Sequence, residues 1–269
     1  MLASKTTVAS ETHQQFSAVA RIRAATNVDE ISGLSSPAGE IQELLIEYGQ
    51  VVETRRGQVL HDTGHQLPSI YLILEGLISV SLPDARKARV EVLTLGSGDF
   101  TALPFALNGQ ISPHRTVVHV PGSAVRLSVS DLIRLAAGHG LLRDRLLEAI
   151  SLQCLRSSYL VACNARHSVT QRLSRWLLTA SDQLRGPTVA VTHKLIADAI
   201  GVRRAGITTE VNKLQDQSIL TTMRGALTIK DRSRLEGCAC GCYEPVRTAH
   251  ESRIQCNPSR ISISISKTL

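Results

Sequence analysis

The sequence lacks the features that assign a chain to several common protein classes. No apolar run approaches the roughly 18 residues of a membrane-spanning helix, and no apolar segment follows a basic start as in a signal peptide. The motifs G-x-S-x-G, H-E-x-x-H and the phosphate-binding P-loop are absent. We therefore expect a cytoplasmic protein that is not an enzyme, with no catalytic residues and no membrane partner.

Cysteine is missing from the first 150 residues, which excludes a disulfide scaffold there. Charge is also unevenly distributed. Residues 37–120 carry nine acidic residues against six Lys and Arg, whereas residues 121–236 carry 17 Lys and Arg against nine acidic residues. This asymmetry is what an anionic partner for the C-terminal half would require.

The 269 residues are enough for two domains. Residues 1–36 are rich in Ser, Thr and Ala, which favours a disordered N-terminal extension, with a transit peptide as the alternative. Residues 37–130 contain short runs of Val, Ile and Leu separated by Gly, Pro and Asp, which is typical of a compact antiparallel barrel or roll. One hairpin in this segment would have the charged tip Asp84–Lys87 in solvent.

From Asp131 the hydrophobic period changes from two to about 3.6 residues, which predicts a long helix over 131–166. One face of that helix carries Leu142, Leu146, Ile150, Ser157, Leu160 and Asn164. We predict that Leu142, Leu146, Ile150 and Leu160 pair with a second copy across a two-fold axis; packing along the β-domain is the alternative. Cys154 and Cys163 fall in the same helical pattern and are expected to be small buried residues.

Residues 167–236 have the order of a winged helix-turn-helix: a helix over 168–184, a short strand, two helices separated by Gly201, and a hairpin around Arg224. Thr192 is a predicted N-cap. The second helix of the pair, about 203–217, would enter the major groove of DNA. The predicted DNA-binding residues are Thr192, His193, Arg203, Arg204, Thr208, Thr209, Lys213 and Arg224. An ordinary helical hairpin with solvated arginines is the alternative.

The segments "THKLIADAIGVRRAGITTEVNKLQDQSIL" and "GQVLHDTGHQLPSIYLILEGLISV" resemble the Crp/Fnr regulators, over about residues 40–236. The resemblance implies an α+β fold: an N-terminal antiparallel β-roll of the cyclic-nucleotide-binding type, a long dimerisation helix and a C-terminal winged helix-turn-helix. It implies a homodimeric transcription regulator that binds a palindromic operator in double-stranded DNA; contact with RNA polymerase is left open. Arg204 matches the first basic residue of the family's recognition helix. Ala205 and Thr209 replace an acidic and a basic residue, so a different operator is expected.

The same resemblance implies an effector site in the roll. Gly98-Asp99-Phe100 and Arg115-Thr116 are similar to the turn and the Arg-Ser/Thr pair that hold a cyclic nucleotide in the family. The effector-binding candidates are Asp99, His114, Arg115 and Thr116. Because Asp is one methylene shorter than the usual Glu and the interval to Arg115 is long, a cyclic nucleotide, an unknown effector and an effector-independent roll all stay open. No cofactor is assigned with certainty.

A C-terminal tail over 237–269 contains Cys238, Cys240 and Cys242 at alternate positions, with His250 and Cys256 further on. Thiolates at such positions could bind zinc or an iron–sulfur cluster. The C-x-C-x-C spacing differs from C-x₂-C, and no second close pair completes it, so no metal is expected. The function class that competes with DNA binding is a small-molecule-binding regulatory module that docks on a protein.

Overall fold

The computed structural model describes residues 37–83, 89–108 and 111–255. Three predictions concern residues outside these ranges: the N-terminal extension, the charged hairpin tip and the end of the tail with Cys256. Among the described helices, none combines the length and the apolar character needed to cross a membrane.

The N-terminal domain is an antiparallel β-roll made of two sheets. Its elements are α1 (Pro37–Tyr48), β1 (Gln50–Thr54), β2 (Val59–His61), β3 (Ser69–Ile73), β4 (Leu77–Pro83), β5 (Arg89–Leu95), α2 (Leu103–Ala106), β6 (Arg115–Val120) and β7 (Gly122–Ser128). The strand orders are β1-β7-β3 and β2-β6-β4-β5. The core lies between the sheets, where Ile73 of one packs with Ile78, Val80 and Val118 of the other. The predicted roll and its β4–β5 hairpin are therefore confirmed.

The predicted long helix is divided into α3 (Val129–Gly138) and α4 (Gly140–Arg166). Ser128 caps α3 by accepting a hydrogen bond from the Asp131 amide at 3.0 Å. The break falls at His139, whose backbone is extended. Its two neighbours are glycines, which have the lowest helix propensity of any residue except proline, so a helix ends here at little cost.

The predicted dimer face of the long helix is wrong for two of its four residues. Leu142 and Leu146 are fully buried within the chain, in the same cluster as Ile70 and Val125 of the roll. Ile150 and Leu160 are only partly buried. A 3.6-residue period identifies a buried face but not the surface that buries it, and here that surface is the chain's own roll. Cys163 is buried as expected, whereas Cys154 is exposed, which corrects that prediction.

The C-terminal domain has the predicted helix-turn-helix order. Its elements are α5 (Val169–Gln183), β8 (Thr188–Val189), α6 (His193–Ile200), α7 (Arg204–Asp216), β9 (Leu220–Met223) and β10 (Ala226–Ile229). The three strands form one sheet in the order β8-β10-β9, which is the wing. Thr192 caps α6, and Gly201 ends it in the left-handed conformation with φ 74°. Both predictions are confirmed.

Two helices continue the chain where a tail was expected, α8 (Arg232–Cys238) and α9 (Tyr243–Gln255). They are tied to α5 by Asp182, whose carboxylate accepts hydrogen bonds from Arg232 at 2.7 Å and from the Tyr243 hydroxyl at 2.6 Å. α9 packs against both α4 and α5. The segment after the wing therefore belongs to the folded domain as far as residue 255.

Candidate nucleic-acid interface

The candidate recognition helix α7 has one buried and one exposed face. Its buried residues Ile207, Val211 and Leu214 belong to the core of the C-terminal domain. Its exposed residues include Arg203, Arg204, Thr209 and Lys213. The helix is thus held by its apolar face while the opposite face presents cationic and hydroxyl groups to solvent.

The first turn of α7 concentrates positive charge. Arg203 is the residue at the N-cap, but its side chain makes no capping hydrogen bond, and Arg204 begins the helix. Both side chains are exposed. The unpaired amides and the positive end of the helix dipole add to the charge of the two guanidinium groups. This end of α7 can therefore bind phosphate or the acceptor edge of a base.

Three of the predicted DNA-binding residues have contacts that hold α6 and its junction with α7. The Thr192 hydroxyl accepts the Leu195 amide at 3.3 Å as a helix cap. His193 Nδ1 lies 3.1 Å from the Thr208 hydroxyl, which links α6 to α7. Burial, followed by the charge of Arg204, lowers the pKa of His193, so the ring is neutral at pH 7. The His193–Thr208 pair therefore helps to fix the angle between the two helices.

Lys213 and Arg224 lie on different parts of the same domain. Lys213 Nζ forms an ion pair with Glu210 at 2.7 Å, and Glu210 also accepts a hydrogen bond from the Thr170 hydroxyl. Arg224 is exposed at the tip of the wing, next to Gly225 with φ 76°. The positive φ of this turn is one that glycine adopts without strain.

The predicted effector residues do not form a site that is free to bind an anion. Asp99 is buried, and its carboxylate accepts hydrogen bonds from Arg156 at 2.7 Å and from the Gly96 amide at 3.1 Å. It is thus part of an internal ion pair, which corrects its assignment as an effector ligand. Removing either member of such a pair leaves an uncompensated buried charge. The sequence pattern could not reveal Arg156, which lies 57 residues further along the chain.

The other three effector candidates lie along or beside β6. Arg115 forms an ion pair with Asp62 at 2.7 Å. The Thr63 amide, and then the charge and hydrogen bond of Arg115, hold the pKa of Asp62 below its usual value. Thr116 is fully buried, whereas His114 is half-buried against the Phe105 ring. Among the four candidates, Arg115 and His114 therefore retain access to solvent.

A cleft of about 580 Å³ lies between the roll and the C-terminal domain. Its walls come from distant segments and include Ser97, Arg156, Arg185, Lys230 and Arg247. Arg156 is buried there, and its Nε and Nη2 atoms have no hydrogen-bond partner among the residues that the structure describes. Sequence analysis did not predict this site because no local pattern joins these residues.

The structure also groups four potential metal ligands that the sequence analysis did not group. Cys240 and Cys242 lie beside Cys163 and His167, whereas Cys238 is not in the group. Burial raises the pKa of the Cys163 thiol. The sequence predicts no metal because no second closely spaced pair of ligand residues accompanies the cysteines at 238–242. Cys163 and His167 form that pair, one helical turn apart at the end of α4, and their C-x₃-H spacing was the available signal.

Comparisons with known proteins agree with this geometry. The profile of the Crp-like helix-turn-helix domain matches residues 171–238. FixK2 from Bradyrhizobium japonicum superposes with a TM-score of 0.63 at 14% identity, covering 72% of this chain and 98% of FixK2. Among curated proteins, none matches this sequence significantly.

Two further solved structures have the same fold. A CRP-family transcriptional regulator from Thermus thermophilus gives a TM-score of 0.60 at 19% identity, over 70% of this chain and 96% of that one. The c-di-GMP-responsive global regulator CLP from Xanthomonas campestris gives 0.59 at 17% identity, over 72% and 99%.

The chain therefore contains a Crp-like helix-turn-helix domain and has the fold of the Crp/Fnr regulators. The predicted resemblance to this family is confirmed, as is the predicted α+β architecture. Together the domain match and the fold support a DNA-binding transcription regulator.

Proposed function

We propose that the protein is a homodimeric, sequence-specific transcription regulator that acts in the cytoplasm and inserts α7 into the major groove of a palindromic operator. One observation carries the proposal: α7 is held by Ile207, Val211 and Leu214, while Arg203 and Arg204 are exposed at its first turn. A helix anchored in this way keeps its N-terminal side chains at a defined angle to the groove. Two adjacent arginines suit guanine O6 and N7 or the flanking phosphates.

Residue roles follow from the contacts. Arg204 is proposed to read a base edge, with Arg203 beside it. Lys213 and the wing residue Arg224 are proposed to contact phosphates, and Thr209 a base edge or a thymine methyl group. Thr192, His193 and Thr208 are proposed to act at the same interface through the α6–α7 geometry that they maintain.

The homodimer is proposed to form through the exposed α4 stripe, by which we mean Leu147, Ser151, Cys154, Ser158, Val161 and Ala165. These exposed residues recur at alternating steps of four and three, which is the spacing of a two-stranded coiled-coil seam. The hydroxyls of Ser151 and Ser158 bond to carbonyls of their own helix, so they present small surfaces to a partner. Two such stripes facing each other would give the dimer the two-fold symmetry that a palindromic operator requires.

Control by an effector at the N-terminal roll is also part of the proposal, with Arg115 and His114 as its accessible residues. Calorimetry with cyclic AMP and cyclic GMP tests the family's usual ligand class. Because Asp99 is occupied by Arg156, we expect no more than millimolar affinity for either nucleotide. Micromolar binding that Arg115→Ala abolishes would contradict this expectation.

The proposal as a whole is tested by selection from a random duplex pool with the purified, full-length protein. Enrichment of a palindrome with half-sites about one helical turn apart is the expected result. The selected site should lose affinity steeply with salt, through counterion release. A protein-docking module would enrich no sequence and show no such dependence, and the proposal would then be rejected if added cell-extract metabolites also failed to produce enrichment.

Arg204→Ala is the sharpest variant on the selected site. If Arg204 reads a base, its loss should weaken the free energy of binding by about 1–3 kcal/mol and relax the preference at one base position. Arg224→Ala is the matched control, because a phosphate contact should weaken binding uniformly across sequences. Uniform weakening by Arg204→Ala would show that this side chain touches only phosphate.

A further inference from the structure

Four side chains meet where the end of α4 faces the segment between α8 and α9. Cys163 lies in the last turn of α4, and His167 is the next residue after the helix. Cys240 and Cys242 come from the connection between α8 and α9. The four ligand atoms all lie within 4.8 Å of one another. The two pairs are more than 70 residues apart in sequence, so the fold alone brings them together.

The spacing of these atoms suits a single tetrahedral ion. With Zn–S bonds of about 2.3 Å and Zn–N bonds of about 2.0–2.1 Å, tetrahedral geometry separates two sulfurs by about 3.8 Å and a sulfur from a nitrogen by about 3.6 Å. Cys163 Sγ lies 3.4 Å from Cys240 Sγ, and Cys242 Sγ lies 3.6 Å from His167 Nδ1. The distances are therefore close to those of a preformed Cys₃His site.

The composition of the group favours zinc over other occupants. Three soft sulfurs and one imidazole nitrogen are a ligand set of structural zinc sites. An iron–sulfur cluster spreads its protein ligands over two or more iron atoms, which needs a wider spacing than this group has. The three cysteines are buried, as in a closed structural site without an open coordination position.

The surroundings of the group balance the charge of such a site. Three thiolates and one Zn²⁺ carry a net charge of −1. The guanidinium of Arg175, in α5, interacts electrostatically with both Cys163 and Cys242. A cation beside the ligands offsets the net negative charge that the occupied site would carry.

The position of the group indicates what the ion would do. α4 leads from the roll into α5, the first helix of the C-terminal domain, and Cys163 and His167 lie at this junction. An ion bound there would join the junction to the segment that follows the wing. It would thereby cross-link the two ends of the helix-turn-helix domain.

We propose that Cys163, His167, Cys240 and Cys242 bind one structural Zn²⁺ per chain. The ion holds the connection between α8 and α9 against the end of α4 and restricts the movement of the C-terminal domain about this junction. Binding releases the three thiol protons to solvent. The site is independent of the proposed DNA contacts, so its test does not use DNA.

The first measurement is metal analysis of the untagged full-length protein, purified without oxygen and dialysed with and without a mild chelator. We expect close to one zinc per chain. Replacement of zinc by Co²⁺ should give visible ligand-field bands of a tetrahedral ion and a thiolate-to-cobalt charge-transfer band. The Co²⁺ spectrum tests the ligand set on the unaltered protein, so the proposal does not depend on whether a variant folds.

Variants then assign the ligands. Cys163→Ser, His167→Asn, Cys240→Ser and Cys242→Ser should each lower zinc affinity by more than the roughly 10- to 100-fold that loss of an outer-shell partner costs. Cys154→Ser and Cys238→Ser are the matched controls and should keep full zinc content, because neither residue is in the group. Limited proteolysis should cut residues 239–242 faster after a strong chelator, and added zinc should reverse the effect.

Three results would overturn the proposal. One is a zinc content below about a tenth of an equivalent per chain in folded protein to which zinc has been supplied. Another is loss of zinc in Cys238→Ser equal to that in Cys240→Ser. The third is a disulfide between Cys163 and Cys240 in the anaerobic protein, which would show that these two cysteines form a redox-active pair rather than bind a metal.

Discussion

Trp176 Nε1, in α5, donates a 2.9 Å hydrogen bond to Glu91 Oε1, in β5, across the boundary between the C-terminal domain and the roll. The Glu91 carboxylate also accepts the Thr94 hydroxyl at 2.6 Å, and His119 Nε2 lies 3.7 Å from its other oxygen. Burial by itself would raise the pKa of Glu91, but the nearby His119 ring, followed by the hydroxyl groups of Ser79 and Thr94, holds the pKa below its usual value. The two domains are therefore docked through a buried charged group.

Replacing Glu91 by Gln should weaken this docking. The amide can still accept the indole hydrogen bond, but it removes the charge opposite His119 and adds two donors in a buried site. We expect the free energy of unfolding to fall by about 1–3 kcal/mol. Trp176 is the single tryptophan of the chain, so its fluorescence reports the boundary directly and should shift towards that of a solvated indole.

Glu53→Gln, on the exposed side of β1, is the matched control and should leave both measurements unchanged. Unaltered Trp176 emission and unfolding in Glu91→Gln would mean that the charge of Glu91 does not help to hold the domains together.

A second prediction concerns the pH dependence of stability. His61 is buried in the roll, with Nε2 2.8 Å from the Thr101 hydroxyl. Burial lowers the pKa of His61 to about 4. In the unfolded chain the ring takes up a proton near pH 6.5, whereas in the folded chain it stays neutral until about pH 4. Protonation therefore favours unfolding, and stability that is complete above pH 6.5 is lost as pH falls towards 4.

At 1.36 kcal/mol per pKa unit, the free energy of unfolding should be about 2 kcal/mol lower at pH 5 than at pH 7. Urea unfolding at several pH values measures it. His61→Gln should flatten the curve in this range, leaving the smaller contributions of His114 and His193, whose pKa values burial also lowers. An equally steep curve in His61→Gln would show that other groups cause the dependence.

Local signals predicted the helix-turn-helix well, and non-local contacts explain the errors. Thr192 and Gly201 are recognisable at either end of α6 because capping and left-handed turns depend on the residue itself. Leu142 and Asp99 were placed on the correct elements, but their partners, the roll and Arg156, are distant in sequence. The partners of Cys163 and His167 are Cys240 and Cys242, which lie more than 70 residues further along the chain. They belong to a segment that the sequence predicts to be a tail, so no contact with α4 is expected from the pattern. Pattern alone carries little information about such pairings.

A third prediction concerns the charge available to DNA on α7, and it depends on the proposed function. Glu210 pairs with Lys213 at 2.7 Å, and this hydrogen bond, followed by that of Thr170, lowers the pKa of Glu210 so that it is ionised at pH 7. Glu210→Gln should release Lys213 to a phosphate. We expect the variant to bind DNA more tightly at low salt. The slope of log K against log[salt] should be steeper by about one released counterion.

Glu244→Gln is the control for this change in net charge, because Glu244 pairs with Arg247 on α9, away from α7. Binding by Glu244→Gln should change little. If Glu210→Gln left the salt dependence unaltered, Lys213 would not be a phosphate contact.

The last prediction concerns Cys154, which lies within the exposed α4 stripe, three residues after Ser151 and four before Ser158. In a parallel pair of α4 helices, a residue at a core position faces its own copy, so the two Cys154 thiols would meet across the two-fold axis. Mild oxidation should therefore produce a disulfide-linked dimer, because facing core positions lie within the Cα separation that a disulfide spans. Cys154→Ser should remain uncrosslinked, and Cys238→Ser should crosslink as the unaltered protein does.

Val161→Asp tests the same seam without oxidation. Among the described residues, Val161 is the most exposed large hydrophobic side chain, at 71%, so a charge there should not disturb the folded monomer. In the paired helix it would place two carboxylates against each other in a desolvated core, and we expect monomers by light scattering. Ile133→Asp, on the exposed face of α3, is the matched control and should stay dimeric. A Val161→Asp dimer that still crosslinks through Cys154 would require the two helices to meet along another line.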